Sequence, residues 1–211
     1  MGDDPYRVTS ADEIHDLLGE PAEIVRRKKI ARIDRHCRAF IARSPFALLA
    51  TAGRDGSVDA SPRGGQAGFV EVADDGAILT FGDAKGNRLA DSSRNIIDTG
   101  RAGLLFLIPG LGETLRVNGR AHLTRNPDIR ARHAADAARL PPLAVVIEVE
   151  EAFLHCAAAM LRSHLWQPDA WPDLAALPSA ARMWKDHAAA PAALDELEDW
   201  LADGYANDLD W

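Results

Sequence analysis

Residues 46–61 read FALLATAGRDGSVDAS, and the reading of this stretch decides the fold. Phe46-Ala47-Leu48-Leu49-Ala50-Thr51 is a short apolar run, and Gly53-Arg54-Asp55-Gly56 is a turn signal of the kind that joins antiparallel strands. Ser57-Val58-Asp59-Ala60-Ser61 follows as the returning strand. Further strands are expected at Phe69 to Val72 and, after the turn Asp74-Asp75-Gly76, at Ala77 to Phe81. Two more are expected at Gly103 to Ile108 and Glu113 to Leu123. Leu143 to Val149 returns to strand, with Phe153-Leu154-His155-Cys156 as a separate last piece. Helices are expected over about Asn87 to Ile97 and over Asp128 to Arg139. Strands joined mostly by tight turns, with one helix inserted, predict an antiparallel barrel rather than a doubly wound parallel sheet.

The flanks read as helical. Ser10 with Glu13 forms a capping-box pattern, and a second helix opens near Pro21. Its apolar face runs through Ile30, Ile33, Cys37, Phe40 and Ile41, spaced by three and four. Arg26, Arg27, Lys28, Lys29, Arg32, Arg35, Arg38 and Arg43 crowd the same segment; this is a solvated surface or a patch for an acidic partner. After Pro178 an Ala-rich tail predicts two short helices separated at Pro191. The expected organisation is N-terminal helices over 1–43, a barrel over 44–165 and a helical, acidic tail over 166–211.

Hydrophobic residues make up 47% of the 211 residues and charged residues 27%, the composition of an ordinary folded domain. The formal charge of -8 weighs against nucleic acid and anionic membranes as partners, since both need a basic face. Its distribution matters more. Asp195, Glu196, Glu198, Asp199, Asp203, Asp208 and Asp210 lie in a tail with no Lys or Arg, and the rest of the chain is nearly neutral. The tail is expected to pack against the basic segment 26–43, within or between subunits.

Cys37 and Cys156 offer no CxxC spacing and no disulfide framework, which fits a reducing cytoplasm. The start Met1-Gly2-Asp3-Asp4 has no signal-peptide pattern, and the apolar stretch Ala102 to Gly112 is too short to span a membrane. Several motifs fail. Leu115 stands where a dinucleotide fingerprint beginning at Gly110 needs its third glycine, and no Walker A or GxSxG sequence occurs. The pairs His36-Cys37 and His155-Cys156 are adjacent in sequence, which disfavours a shared metal site.

Three segments survive. Gly82-Asp83-Ala84-Lys85-Gly86-Asn87-Arg88 joins a strand to a helix start, where backbone N–H groups and the cations Lys85 and Arg88 suit a phosphate. Asn87 caps the helix or donates to an oxygen in this reading. Ser61-Pro62-Arg63-Gly64-Gly65 ends a strand with a cation that could reach the same anion. Thr114 and Arg116 share one face of the strand beginning at Glu113 and could line a polar pocket; a half-exposed edge is the plainer reading.

In this order, ATAGRDGSVDASPRG, AILTFGDAKGNRLADSSRNI and GLLFLIPGLGETLRVNGRAHLT resemble the pyridoxamine 5'-phosphate oxidase-like FMN-binding family over about residues 40–165. They are most similar to a bacterial subgroup with SPRG, GN(R), LLFLIPG and ETLRVNG blocks. The resemblance implies a six-stranded antiparallel split β-barrel, mainly β with peripheral helices. It also implies a homodimer with FMN in grooves between the subunits and flavin-dependent oxidation or reduction of a small molecule. By position it implies that Ser61 and Arg63 contact the ribityl chain or phosphate, and that Thr80 and Phe81 run along the flavin. Lys85, Gly86, Asn87 and Arg88 would grip the phosphate, while Glu113, Thr114 and Arg116 approach the flavin from the partner subunit. Trp166 would pack near the isoalloxazine or serve as a core or interface tryptophan. It names no catalytic acid or base and no metal. Alternatives of another class are a flavin-binding sensor or store, or a barrel for deazaflavin or haem. The chain lacks the basic C-terminal block of true pyridoxamine phosphate oxidases, and Gly65-Gln66 replaces a common Gly-Asp. Both departures weigh against oxidation of vitamin B6.

Overall fold

The structure is a computed structural model describing residues 4–84, 86–134 and 139–207. Seven strands form one antiparallel sheet: β1 (Phe46–Ala52), β2 (Val58–Gly64), β3 (Glu71–Val72), β4 (Ile78–Asp83), β5 (Arg101–Leu107), β6 (Thr114–Thr124) and β7 (Leu143–His155). Their order is β2-β1-β5-β6-β7-β4-β3. The expected antiparallel β architecture with peripheral helices is present. The strand count is seven rather than six, because the third segment keeps two residues of ladder against β4.

The opening hairpin folds as its sequence dictates. Gly53 N–H donates to Ser57 O at 2.8 Å, and Gly56 takes φ +85°, which glycine adopts without a Cβ penalty. The Asp55 carboxylate accepts from Ser57 N at 3.0 Å and Ser57 Oγ at 2.7 Å. β1 then pairs with β5 on its other side, and β5 with β6.

The β6–β7 ladder runs from Thr114↔His155 to Thr124↔Ala144. Two strand pieces were expected where β7 is continuous. The register shifts between Asn118 and Gly119, so the extra residue Glu150 is absorbed as a bulge. Gly119 permits the close approach, because a Cβ there would collide with the Glu148 carbonyl oxygen. Arg101 pairs with the displaced Glu150, and Arg120 with Glu148 at 2.6 Å.

One face of the sheet buries Ala47, Leu49, Leu79, Phe81, Leu104, Phe106, Leu115, Val117 and Ile147. Aligned register carries alternation across strands, so Arg63, Ala47, Phe106 and Leu115 stand in one row on this inner face. Arg116 and its partner Phe153 therefore face outward. α4 (Asp91–Thr99) covers β1 and β2 and contributes the buried Ile96 and Asn95. Asn95 Nδ2 donates to Thr51 Oγ1 at 3.1 Å.

The N-terminal segment departs from its expected single helix. After α1 (Ala11–Leu18), the pattern splits into α2 (Glu23–Arg27) and α3 (Arg35–Ile41). Between them the chain is drawn onto the sheet. Ile30 bridges Ala152 through bonds of 3.0 and 2.7 Å, and Ile33 N–H donates to Gly76 O at 2.8 Å. Asp34 fixes the restart: its carboxylate accepts from His36 N at 3.0 Å and Cys37 N at 2.8 Å. The same i, i+3 spacing thus buries Ile33 and Ile41 without a continuous helix.

The remaining helices are α5 (Pro127–Arg132), α6 (Ala158–Ser163), α7 (Ala180–Ala188) and α8 (Leu194–Asn207). α5 stops well short of the expected end at Arg139, and residues 135–138 lie outside the described residues. α7 and α8 flank Pro191 as expected and pack on each other, with Trp184 and Trp200 ring centroids 5.7 Å apart. No ion pair among the described residues joins the acidic α8 to residues 26–43 of the same chain. Instead Arg26 pairs with Glu20, Arg27 with Glu23, Lys29 with Glu151 and Arg32 with Asp75. The Arg38 guanidinium is taken by the carbonyls of Val72, Ala73 and Asp74. Among the described residues these cations are therefore engaged without the tail.

Backbone donors hold the Asp34 carboxyl below its ordinary range, outweighing the opposing effect of burial. Its contribution is thus full above the unfolded value near ~3.9 and lost as pH falls through the lower folded value. Asp34→Ala should cost about 1 kcal/mol at pH 7 in urea unfolding, and the gap from wild type should close near pH 2. A gap that persists at that pH would contradict the assignment.

Candidate functional site

A cleft of about 530 Å³ opens where the end of β2, the end of β4 and the start of α4 meet. Asp59, Ser61 and Arg63 line it from alternate positions of β2. Gly86, Asn87 and Arg88 line it from the β4–α4 loop, Ser92 and Ser93 from the first turn of α4, and Leu143 from β7. Five residues expected at the phosphate therefore meet in one place: Ser61, Arg63, Gly86, Asn87 and Arg88. Lys85 lies outside the described residues.

Arg63 organises the cleft. Its side chain is 24% exposed, and Nη2 stands 3.4 Å from Asp83 Oδ1 and 3.4 Å from Ser92 Oγ. Its Nε is buried with no hydrogen-bond partner. A buried guanidinium donor without an acceptor is costly, so the arrangement fits an acceptor oxygen carried by a ligand. The carboxylates of the cleft are already engaged. Asp83 also accepts from Ser93 Oγ at 3.1 Å, Asp59 accepts from Ser92 Oγ at 2.5 Å, and Asp91 lies 3.7 Å from Arg94. Among the described residues Arg88 makes no ion pair.

The loop before α4 is strained. Arg88 at φ 63° and Ala90 at φ 59° occupy the left-handed region that non-glycine residues avoid, beside Gly86 at φ 45°. Of the two roles expected for Asn87, it does not take that of capping α4; its Oδ1 accepts from Leu89 N at 3.0 Å, ahead of the helix. Ala90 occupies the N-cap position, and no side chain caps the helix. The first N–H groups of α4, with the positive end of its dipole, are left for an acceptor in the cleft.

Other expected residues lie elsewhere. Phe81 is fully buried in the core, edge-on to Phe69 at 6.5 Å. Thr80 is buried, with Oγ1 2.9 Å from His133 Nε2. Burial holds the His133 imidazole below its ordinary range; the charge of Glu71 opposes this and that of Arg132 adds to it. Neither Thr80 nor Phe81 lines the cleft. Thr114 and Arg116 alternate onto one face of β6, where Thr114 is buried and Arg116 is half-buried, and Glu113 precedes that strand. Trp166 is tied to the β5–β6 loop by an Nε1–H bond of 2.8 Å to Leu111 O. Ser61 and Arg63 thus lie on the inner face of the sheet, and Thr114 and Arg116 on the other.

Sequence reading assigned no role to Asp59, Asp83, Ser92 or Ser93. Asp59 was legible from period two, since it alternates with Ser61 and Arg63. Ser92 and Ser93 stand in the first turn because α4 begins at Asp91, later than the expected start near Asn87. Among the described residues, no group of three His, Cys, Asp or Glu is placed to hold a metal, and no helix is long and apolar enough to cross a membrane.

A mainly β antiparallel fold with peripheral helices defines the class, that of the split barrels. The sequence profile described as pyridoxamine 5'-phosphate oxidase matches residues 33–156, more than half of the chain, and the chain belongs to that family. No functionally curated protein matches at a significant level. Among solved structures, HupZ of Group A Streptococcus is similar at 18% identity and TM-score 0.47, over 58% of this chain and 93% of its own. HutZ, the haem storage protein of Vibrio cholerae, is similar at 12% and 0.41, over 59% and 94%. A pyridoxamine 5'-phosphate oxidase-related, FMN-binding protein of Nostoc punctiforme is similar at 16% and 0.38, over 55% and 75%.

The two thiols differ. Burial pushes the Cys37 thiol up to about 11, and the hydrogen bond and charge of Asp34 add to the shift. Cys156 is exposed. Iodoacetamide at pH 8 should therefore alkylate Cys156 and spare Cys37, as read by peptide mass spectrometry; prompt labelling of Cys37 in the folded protein would contradict this.

Proposed function

We propose that this chain is an FMN-binding flavoprotein that oxidises or reduces a small molecule. The observation that carries the reading is the buried, unpartnered Nε of Arg63, in a cleft also lined by a helix start that no side chain caps. A phosphate monoester supplies what both lack: several acceptor oxygens on a dianion. Arg63, Arg88, Ser92, Ser93 and the first N–H groups of α4 would hold the phosphate. Asp83 and Asp59 hold Arg63 and Ser92 in position. Ser61 stands next along β2, where it suits the ribityl chain. Lys85, by its place in the same loop, is assigned to the phosphate as well.

When bound, FMN supplies reversible two-electron chemistry, and the protein contributes binding, orientation and exclusion of water. No side chain is assigned as acid or base; His133, the buried imidazole, is spent on Thr80 away from the cleft. Residues 44–165 form the flavin-binding unit of this proposal, with residues 1–43 and 166–211 as helical flanks. The outward position of Arg116 favours a homodimer in which that face of β6, with Thr114 beneath it, meets the flavin of the partner subunit. A cytoplasmic location agrees with two unpaired cysteines.

The test is spectroscopic. The purified or FMN-reconstituted protein should show a flavin absorbance spectrum, whereas a haem Soret band or no bound chromophore would overturn the reading. Arg88 is exposed, so Arg88→Ala should fold normally and weaken FMN binding about tenfold or more in a fluorescence titration. Unchanged affinity would remove Arg88 from the phosphate site.

A further inference from the structure

Two helical elements of this chain present exposed apolar residues beside charges of opposite sign, and within one chain no ion pair joins them. α8 carries Asp195, Glu196, Glu198, Asp199 and Asp203 with no Lys or Arg, and none of these carboxylates makes an ion pair among the described residues. Leu201 is buried where α8 packs on α7. Helical spacing then puts Glu196, Asp199, Trp200 and Asp203 together on another face, where Trp200 is 62% exposed. The segment at α2 is the converse. Ile24 is 78% exposed and Val25 45%, beside Arg26, Arg27 and Lys28. Lys28 makes no ion pair among the described residues; its Nζ rests 5.5 Å from the Phe153 centroid. Arg26 and Arg27 pair only with Glu20 and Glu23, in solvent, and pairs so exposed exchange readily for others.

We propose that α8 of one copy packs on residues 23–28 of a second copy of this chain. Trp200 meets Ile24 and Val25, and the carboxylates of α8 meet Arg26, Arg27 and Lys28. Charge complementarity selects the occupant: an α8 without cations repels another α8 and is matched by the most basic stretch of the same sequence. The match goes unused within one chain, so a second copy supplies it. In a two-fold pair the contact forms twice, each α8 reaching the other chain. Both elements lie outside residues 33–156, which the family profile matches, so the contact is a feature of this chain added to the barrel. It rests on the homodimer reading for its second copy and is independent of the flavin.

A carbodiimide, which joins an amine to a carboxylate without a spacer, tests this on the full-length protein. Peptide mass spectrometry should find Lys28 linked to α8. Two full-length variants are then co-expressed. One is Lys28→Arg/Lys29→Arg, and the other is Asp195→Asn/Glu196→Gln/Glu198→Gln/Asp199→Asn/Asp203→Asn. Neither chain carries both halves of the link, so its persistence in the pair places the contact between copies. No such link in the wild type would overturn the proposal, as would a wild-type link that the pair lacks. Charge reversal supplies a second readout. Asp199→Lys/Asp203→Lys should lower the yield from Lys28 to Glu196 about tenfold, and adding Arg26→Glu/Arg27→Glu to the same chain should restore it. A yield indifferent to the reversal, or one that stays low after the second, would contradict the contact. Sedimentation separates the two failures: a dimer without the link overturns the contact alone, and a monomer overturns the homodimer reading with it.

Discussion

The antiparallel ladder between β6 and β7 is the constraint on which the other elements depend. It fixes which side of a single sheet each residue faces, and a slip of one residue would exchange Leu115 and Val117 with Arg116. Burying an unpaired guanidinium where a leucine belongs costs several kilocalories per mole, far more than any single ladder bond gains. The register is therefore held by the core itself. β5 and β1 extend it on one side and β4 on the other, and the bulge at Glu150 keeps the long β7 in step. The N-terminal segment joins the same ladder through Ile30, which explains why a helix-like spacing ends as two helices and a bridge.

The candidate cleft shows how carboxylates can position a cation and still leave one of its donors free. Its carboxylates are committed to positioning: Asp83 to Arg63 and Ser93, Asp59 to Ser92. What is left over is a donor on Arg63, the guanidinium of Arg88 and the start of α4. The strained backbone at Arg88 and Ala90 belongs to the same loop. Strain of about 1–3 kcal/mol per residue persists where the surroundings hold it, and sites that bind ligands are where it collects.

Local signals carried most of the strand layout. The Gly53–Gly56 turn, the apolar runs and the alternation in β2 and β6 are short-range properties of the sequence, and they fold as read. The continuity of β7 was not legible, because a bulge depends on how Gly119 meets Glu148 across strands. The break between α2 and α3 was hidden for a similar reason, since the bond from Ile30 to Ala152 is decided far along the chain. Of the site, the cations were visible and their company was not. Ser61, Arg63 and Arg88 announce an anion by charge and position, while Asp83 and Ser92 declare their roles only once β4 and α4 are brought together. Thr80 and Phe81 sit on the expected strand, but alternation turns them to His133 and the core.

The central claim is that a phosphate anchors the cofactor in the Arg63 cleft. Comparing the dissociation constants of FMN and riboflavin, which differ only in that phosphate, tests it most directly. Two charge-assisted contacts predict that FMN binds about 100-fold tighter or more. Equal affinities for the two flavins would contradict the account.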